Sequence, residues 1–202
     1  MKKVFVFAFF VFSSIAVWSQ SEAKFGLKGG LNIAKTRNSN KSASSWKLGL
    51  HTGLLAHIHL TPQFALQPEL VYSSQGNKYT IPNGEHQLNL NYINVPLLLQ
   101  YMFDNGFRLQ TGPQIGFLVD VNDKQNGNET GILTSSDFKS TDVSWSFGLG
   151  YLDYSGLGFD ARYNLGISNI SNFSGDATKL HNRVIQVGLF YLFDHKHKAH
   201  SK

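Results

Sequence analysis

The chain contains no cysteine. That excludes disulfides, thiolate metal centres, thiol nucleophiles and a lipid-anchored N-terminal cysteine. Charge is scarce as well. Asp, Glu, Lys and Arg make up 15 % of the 202 residues, against roughly 25 % in an average soluble domain. Past the first 19 residues no apolar stretch approaches the ~20 residues that a membrane helix needs. Excess charge of one sign is modest. The net charge of +5 falls to +3 once Lys2 and Lys3 are set aside, and part of the rest lies in the last nine residues. That is too little to argue for nucleic acid.

What the chain has in quantity is aromatic residues (13 %, with Phe at 16 positions) and glycine, at 19 positions. Its start reads as a secretory signal peptide over residues 1–19. Lys2 and Lys3 are followed by the unbroken apolar run 4–12 and then by small residues. Ser19 is the preferred residue before the cut, with Ala23 as an alternative. The domain reading is therefore a signal peptide over 1–19, one β-barrel domain over 20–193 and a flexible basic, His-bearing tail over 194–202.

The mature chain alternates with period two, the signature of strands with two unlike faces. Phe25, Leu27, Leu31 and Ile33 oppose Lys24, Lys28 and Asn32. Trp46, Leu48, Leu50 and Leu54 oppose Lys47, His51, His57 and His59, with Leu55 as an apolar exception. Leu66, Leu70 and Tyr72 oppose Gln67, Glu69, Ser73 and Gln75. Further runs cover 88–101, 107–117, 143–151, 157–167 and 185–193. In the fourth, the apolar positions switch from even (Leu88, Leu90, Tyr92) to odd (Ile93, Val95, Leu97). That predicts a β-bulge near Tyr92–Ile93 which keeps all of them on one outward face. Pro96 lies in the same run, where a nearby irregularity has to accommodate its missing N–H.

Eight runs of about ten residues, tilted by ~40°, cover the ~25 Å apolar band of an outer membrane. Short connections (61–63, 104–106, 155–156) alternate with long ones (34–45, 76–87, 120–141, 169–182). Membrane barrels place short turns in the periplasm and long loops outside. The fold expected is thus an all-β, eight-stranded antiparallel up-and-down transmembrane barrel, with both chain ends periplasmic.

A soluble lipocalin-like barrel alternates too, with its apolar face inward. Here the polar face is rich in Gly, Gln, Asn and Ser, whereas a water-facing surface carries more Lys and Glu. Small polar residues instead suit the crowded interior of an eight-stranded barrel. Tyr72, Tyr92, Tyr101, Trp46, Trp145, Tyr151, Tyr163 and Tyr191 fall mostly on the apolar face, as interfacial girdles do.

Several segments also resemble one family. They are 24–32 (KFGLKGGLN), 66–76 (LQPELVYSSQG), 90–101 (LNYINVPLLLQY), 111–118 (TGPQIGFL), 147–151 (FGLGY), 162–170 (RYNLGISNI) and 187–193 (VGLFYLF). In order and spacing these resemble the PorT-like outer-membrane β-barrel family of Bacteroidetes. The resemblance implies an eight-stranded outer-membrane barrel. A namesake member serves a protein-secretion system, but no residue here singles out that role.

Inward charges must be paired, because an isolated buried charge is prohibitively costly. Glu69, Arg108, Asp160 and Arg162, joined by Lys28 and Lys47, are therefore expected to form a lumenal polar network. No catalytic, cofactor-binding or metal site is expected. His57 and His59, two apart, read as a hydrated strand end rather than metal ligands, and His195, His197 and His200 as a solvated tail. Eight strands are too few for a porin-like channel. The leading functional reading is a structural or interaction barrel. The alternatives are an accessory of protein secretion and a lipid A-modifying enzyme, for which His86 and His181 are the loop-proximal histidines. Expected partners are outer-membrane lipid and an envelope protein met through the long loops. Nucleic acid is not expected, and the barrel should be a monomer.

Overall fold

Residues that alternate in polarity can satisfy lipid outside and polar contacts inside only if the sheet closes, because open edges leave backbone groups unpaired. A computed structural model, which describes residues 23–38, 44–81, 84–173 and 179–193, shows that closure. The proposed signal peptide and the tail with its three histidines lie outside the described residues.

Eight strands make the ring: β1 (Lys24–Asn38), β2 (Lys47–His59), β3 (Phe64–Ile81), β4 (Gly84–Met102), β5 (Phe107–Gln125), β6 (Thr141–Leu152), β7 (Leu157–Gly166) and β8 (Leu180–Leu192). Each pairs antiparallel with its sequence neighbour, and β1 pairs with β8 from Gly26↔Leu192 to Asn38↔Leu180 to close the barrel. Among the described residues no helix is long and apolar enough to cross a membrane.

The wall is inverted relative to a soluble protein. Leu48 is 69 % exposed while its neighbour Lys47 is 3 % exposed, and on β8 Leu189 is 60 % exposed against 3 % for Gln186. Apolar side chains cover a band of the outside on every strand, and polar ones fill the middle of the inside. A lipocalin-like interior is thereby ruled out.

The strands are unequal. β3, β4 and β5 have 18, 19 and 19 residues, whereas β6, β7 and β8 have 12, 10 and 13. Much of the sequence assigned to two long loops is in fact strand. The ladder of β3 with β4 runs on to Ile81↔Gly84, and that of β4 with β5 to His86↔Gln125. One side of the barrel therefore stands well above the other at what we term the hairpin end. The other end carries short turns, with Gly106 and Gly156 at φ +89° where a side chain would be strained.

The expected bulge requires correction. A register shift does fall between Asn91 and Tyr92, but the extra residue is Val119 on β5, squeezed between the partners Leu118 and Asp120. β4 itself keeps one phase. Leu88, Leu90 and Tyr92 are 3 %, 0 % and 0 % exposed and point inward, while Val95, Leu97 and Leu99 point outward. The apolar residues do not share one face, because the hairpin end has an apolar interior of its own. Leu88, Leu90 and Tyr92 pack there with Val121, Phe138 and Ile170. Phe138 and Ile170 come from the connections after β5 and β7, which cross over the top. Phe138 bridges Ser171, and the Lys139 N–H donates to the Ile170 carbonyl at 2.8 Å. Pro96 is accommodated by a gap instead of the bulge: the β3–β4 ladder skips from Pro68↔Leu97 to Val71↔Asn94, passing over Pro96.

Candidate functional site

The lumen is built in tiers, each set by which strand positions share a height. Nearest the short turns an apolar cluster joins Leu55, Leu152, Phe190 and Leu192. Leu55, the apolar exception in its run, is thus part of a plug. His57 lies near this end and is fully buried, its ring edge-on to His59 at 4.6 Å between centroids. It is not the hydrated strand end expected.

Above the plug sits the charge cluster. Arg162 on β7 grips Glu69 on β3 with two parallel bonds, Nη1 to Oε2 at 2.7 Å and Nη2 to Oε1 at 2.6 Å. The same guanidinium reaches Asp160 Oδ2 at 2.7 Å. Lys28 Nζ on β1 donates to Asp160 at 3.0 Å and to Glu69 at 3.3 Å. Gln67 Nε2 adds a 2.6 Å bond to Glu69. Two cations and two carboxylates balance, and all are nearly inaccessible to solvent. Arg and carboxylate suit such burial because the fork geometry satisfies several donors at once.

Of the six residues expected in this network, Lys47 sits elsewhere, and Arg108 joins it only through amides, by way of Gln100 and Gln110 to Arg162. Arg108 makes no ion pair among the described residues. It donates to Gln100 at 3.4 Å and its guanidinium lies 5.7 Å from the Phe190 ring centroid, the geometry of a cation–π contact. Lys47 is far up the barrel. There the β2 side of the wall is open: a two-residue strand, Ser44–Ser45, pairs with Tyr79 and Lys78, but pairing resumes only at His51↔Ser73. Lys47 Nζ caps the Gln75 carbonyl at 2.9 Å, and Asn32 Nδ2 caps those of Leu50 and Ser74 at 3.1 and 2.9 Å. Polarity placed Lys47 inside, but nothing in the sequence marks the ladder gap that it fills.

Between charge cluster and apolar top lies an amide tier that sequence reading missed. Asn32 Oδ1 meets His51 Nδ1 at 2.9 Å and accepts from Gln186 at 3.0 Å, Gln186 accepts from Asn164 at 2.9 Å, and Asn164 accepts from Ser146 at 2.8 Å. The signal was the run of uncharged polar residues at inward positions, which was read only as filling.

The hairpin end holds one further constellation. Asp123 accepts from Tyr79 Oη at 2.8 Å and from Thr130 Oγ1 at 2.5 Å, and its Oδ2 lies 3.2 Å from His86 Nδ1. The Tyr79 and His86 rings stack at 5.3 Å. Burial, and then the bond to Asp123, push the Tyr79 hydroxyl well above the ordinary tyrosine range, so it remains a donor. The constellation ties β3, β4 and the segment after β5 together, with His86 Nε2 buried and without a hydrogen-bond partner among the described residues. Its role is to pin the hairpin. Asp123→Ala should loosen the hairpin locally, by ~1–3 kcal/mol for the orphaned donors. Hydrogen exchange should quicken at 79–86 and 123–130 while β6 to β8 stay protected; unchanged exchange would refute the assignment.

A closed ring with a lipid-compatible exterior and a filled polar lumen defines the molecule as a transmembrane β-barrel. The family-model comparison agrees: residues 18–172 match the outer membrane protein beta-barrel domain. The chain belongs to that family, which places it in the outer membrane. No curated protein sequence matches it. Among solved structures it is similar to Neisserial surface protein A, with a TM-score of 0.55 and 13 % identity over 84 % of this chain and 98 % of that one. It is also similar to Ail, the attachment invasion locus protein of Yersinia pestis, with a TM-score of 0.51 and 12 % identity over 85 % and 99 %. At these identities the likeness concerns the fold.

Proposed function

We propose that this protein is a closed interaction barrel, conducting nothing and catalysing nothing itself. Both chain ends lie in the periplasm and the β3–β4–β5 wall stands outside the cell. One observation carries the reading. The lumen is blocked below by Leu55, Leu152, Phe190 and Leu192 and above by the Tyr92–Phe138–Ile170 core. A solute would have to displace both tiers and the ion cluster between them. The protein reaches the membrane through a cleaved signal peptide and works as a monomer. Its surroundings are outer-membrane lipid, and its raised wall offers the surface for an envelope protein.

Kinship with PorT-like barrels of Bacteroidetes is part of this proposal and rests on the strand motifs alone. A secretion role gains no support from a particular residue. Lipid modification would need a nucleophile beside His86. Purified protein in planar bilayers should give no steady conductance at moderate voltage. Lipid A from a deletion strain should keep its acyl pattern. A stable open state, or an acyl change reversed by the gene but not by His86→Ala, would overturn the reading.

A further inference from the structure

The outer wall changes character sharply above Tyr72 and Ile93. Three adjacent strands carry polar residues, and one glycine, at successive outward positions. In pairing order these are Ser74–Asn91–Asp120, then Gly76–Asn89–Asn122, then Lys78–Gln87–Lys124. The Val119 bulge makes this possible, since it turns Asp120, Asn122 and Lys124 outward while Val121 and Asp123 turn in. Inward needs do not explain the patch. The inner face of the same strands is served by other residues.

The patch is concave. It forms most of a groove of about 430 Å³ that extends over the ladder gap to β2, with Leu48, Leu50 and Tyr72 at its lower edge. Leu48, Leu50 and Tyr72 are 69 %, 64 % and 41 % exposed and belong to the apolar band. The groove therefore straddles the level where the apolar surface ends.

Its chemistry is amide-rich. Gln87 donates to Asn89 at 3.1 Å, Asn89 to the Asn122 carbonyl at 3.2 Å, and Asn122 and Asn91 to Asp120 at 2.6 and 2.9 Å. This chain fixes the side chains while the amide oxygens of Gln87, Asn91 and Asn122 accept no bond among the described residues. Lys47 and Lys124 line the groove at opposite ends, but Lys47 is buried against the Gln75 carbonyl and nearby Lys78 pairs with Glu85 at 2.9 Å. Pre-set amide donors and acceptors with an aromatic ring at the edge therefore match a polyhydroxylated ring better than a phosphate, which would call for clustered cations. Asp120, at the β5 edge of the lowest polar row and outside the groove lining, holds the Asn91 and Asn122 amides in place.

We infer that this groove binds the sugar headgroup of an outer-leaflet glycolipid, whose acyl chains run down over Leu48, Leu50 and Tyr72. The inference rests on the orientation proposed above. That orientation is tested separately by a Gln125→Cys variant, the chain's single thiol, which an impermeant maleimide should label on intact cells. If labelling fails, the orientation fails; the binding test below uses purified protein and does not depend on it.

Folded full-length protein in detergent is mixed with rough lipopolysaccharide or phosphatidylglycerol, and bound lipid is counted by native mass spectrometry. Lipopolysaccharide should be retained over phosphatidylglycerol, which supplies phosphate without the sugar. The double variant Asn89→Leu, Asn122→Leu should reduce that retention ~10-fold, about 1.4 kcal/mol. Thr141→Leu, exposed on the adjacent strand β6 and outside the groove lining, should leave it unchanged. Core oligosaccharide cut from the glycolipid should compete. Heat-modifiable mobility reports folding of each variant; if the double variant fails to fold, Asn91→Ala serves instead. Equal retention of both lipids, retention indifferent to the substitutions, or no competition by free sugar would each overturn the assignment.

Discussion

Glu69→Ala is expected to destabilise the barrel by about 3–5 kcal/mol, the cost of leaving buried charge without its partner. In the native cluster Lys28 and Arg162 balance Glu69 and Asp160. Removing Glu69 deletes both short bonds of the Arg162 fork and leaves three charges with a net positive one, walled off from water. The result should be a lower urea midpoint for unfolding in detergent or vesicles. A double-mutant cycle distinguishes charge imbalance from simple loss of packing. Combining Glu69→Gln with Arg162→Met leaves the Lys28–Asp160 pair, held at 3.0 Å, as the remaining balanced unit. The double variant should recover a large part of the stability lost by Glu69→Gln alone. Additive losses would show that the cluster does not act as a unit.

The second large effect concerns the outside. Arginine at Leu149 or Val187 should cost ~2–4 kcal/mol where the side chain lies near the bilayer midplane, falling to ~0–1 toward either interface. Leu149 and Val187 both pair with Ala161, and Val187 pairs on its other side with Leu31, so an arginine at either point meets only apolar neighbours. A graded series along β8 makes the prediction sharper. Arginine at Val187 or Leu189 should slow assembly of the heat-modifiable form, and at Tyr191, close to the short turns, far less. A flat profile along the strand would mean that this face does not meet lipid.

The groove and the lumen bear on function in different ways. The lumen holds the barrel shut, and its chemistry is spent on itself. The raised wall is the part that presents fixed, unspent donors and acceptors to the outside. At the hairpin end Tyr79, His86, Asp123 and Thr130 form a constellation whose bonds join neighbouring strands. Those side chains hold the hairpin in place, and the hairpin carries the surface.

Alternation along the chain was enough to determine that strands form, that one face is apolar and that the polar face is too poor in charge to meet water. The inverted barrel follows from these because lipid and closure leave no other arrangement. The same periodicity misled at Leu88, Leu90 and Tyr92. A local pattern assigns a residue to a face, but whether that face meets lipid or a second apolar core depends on what crosses above it. Phe138 and Ile170 arrive there from connections far along the chain. Polarity likewise put Lys28, Glu69, Asp160 and Arg162 inside, yet their pairing spans separations of 41, 93 and 132 residues. Only ring closure brings β1, β3 and β7 to face one another across the lumen, which is why the sequence determined the kind of wall and the tertiary structure alone decided which charges meet behind it.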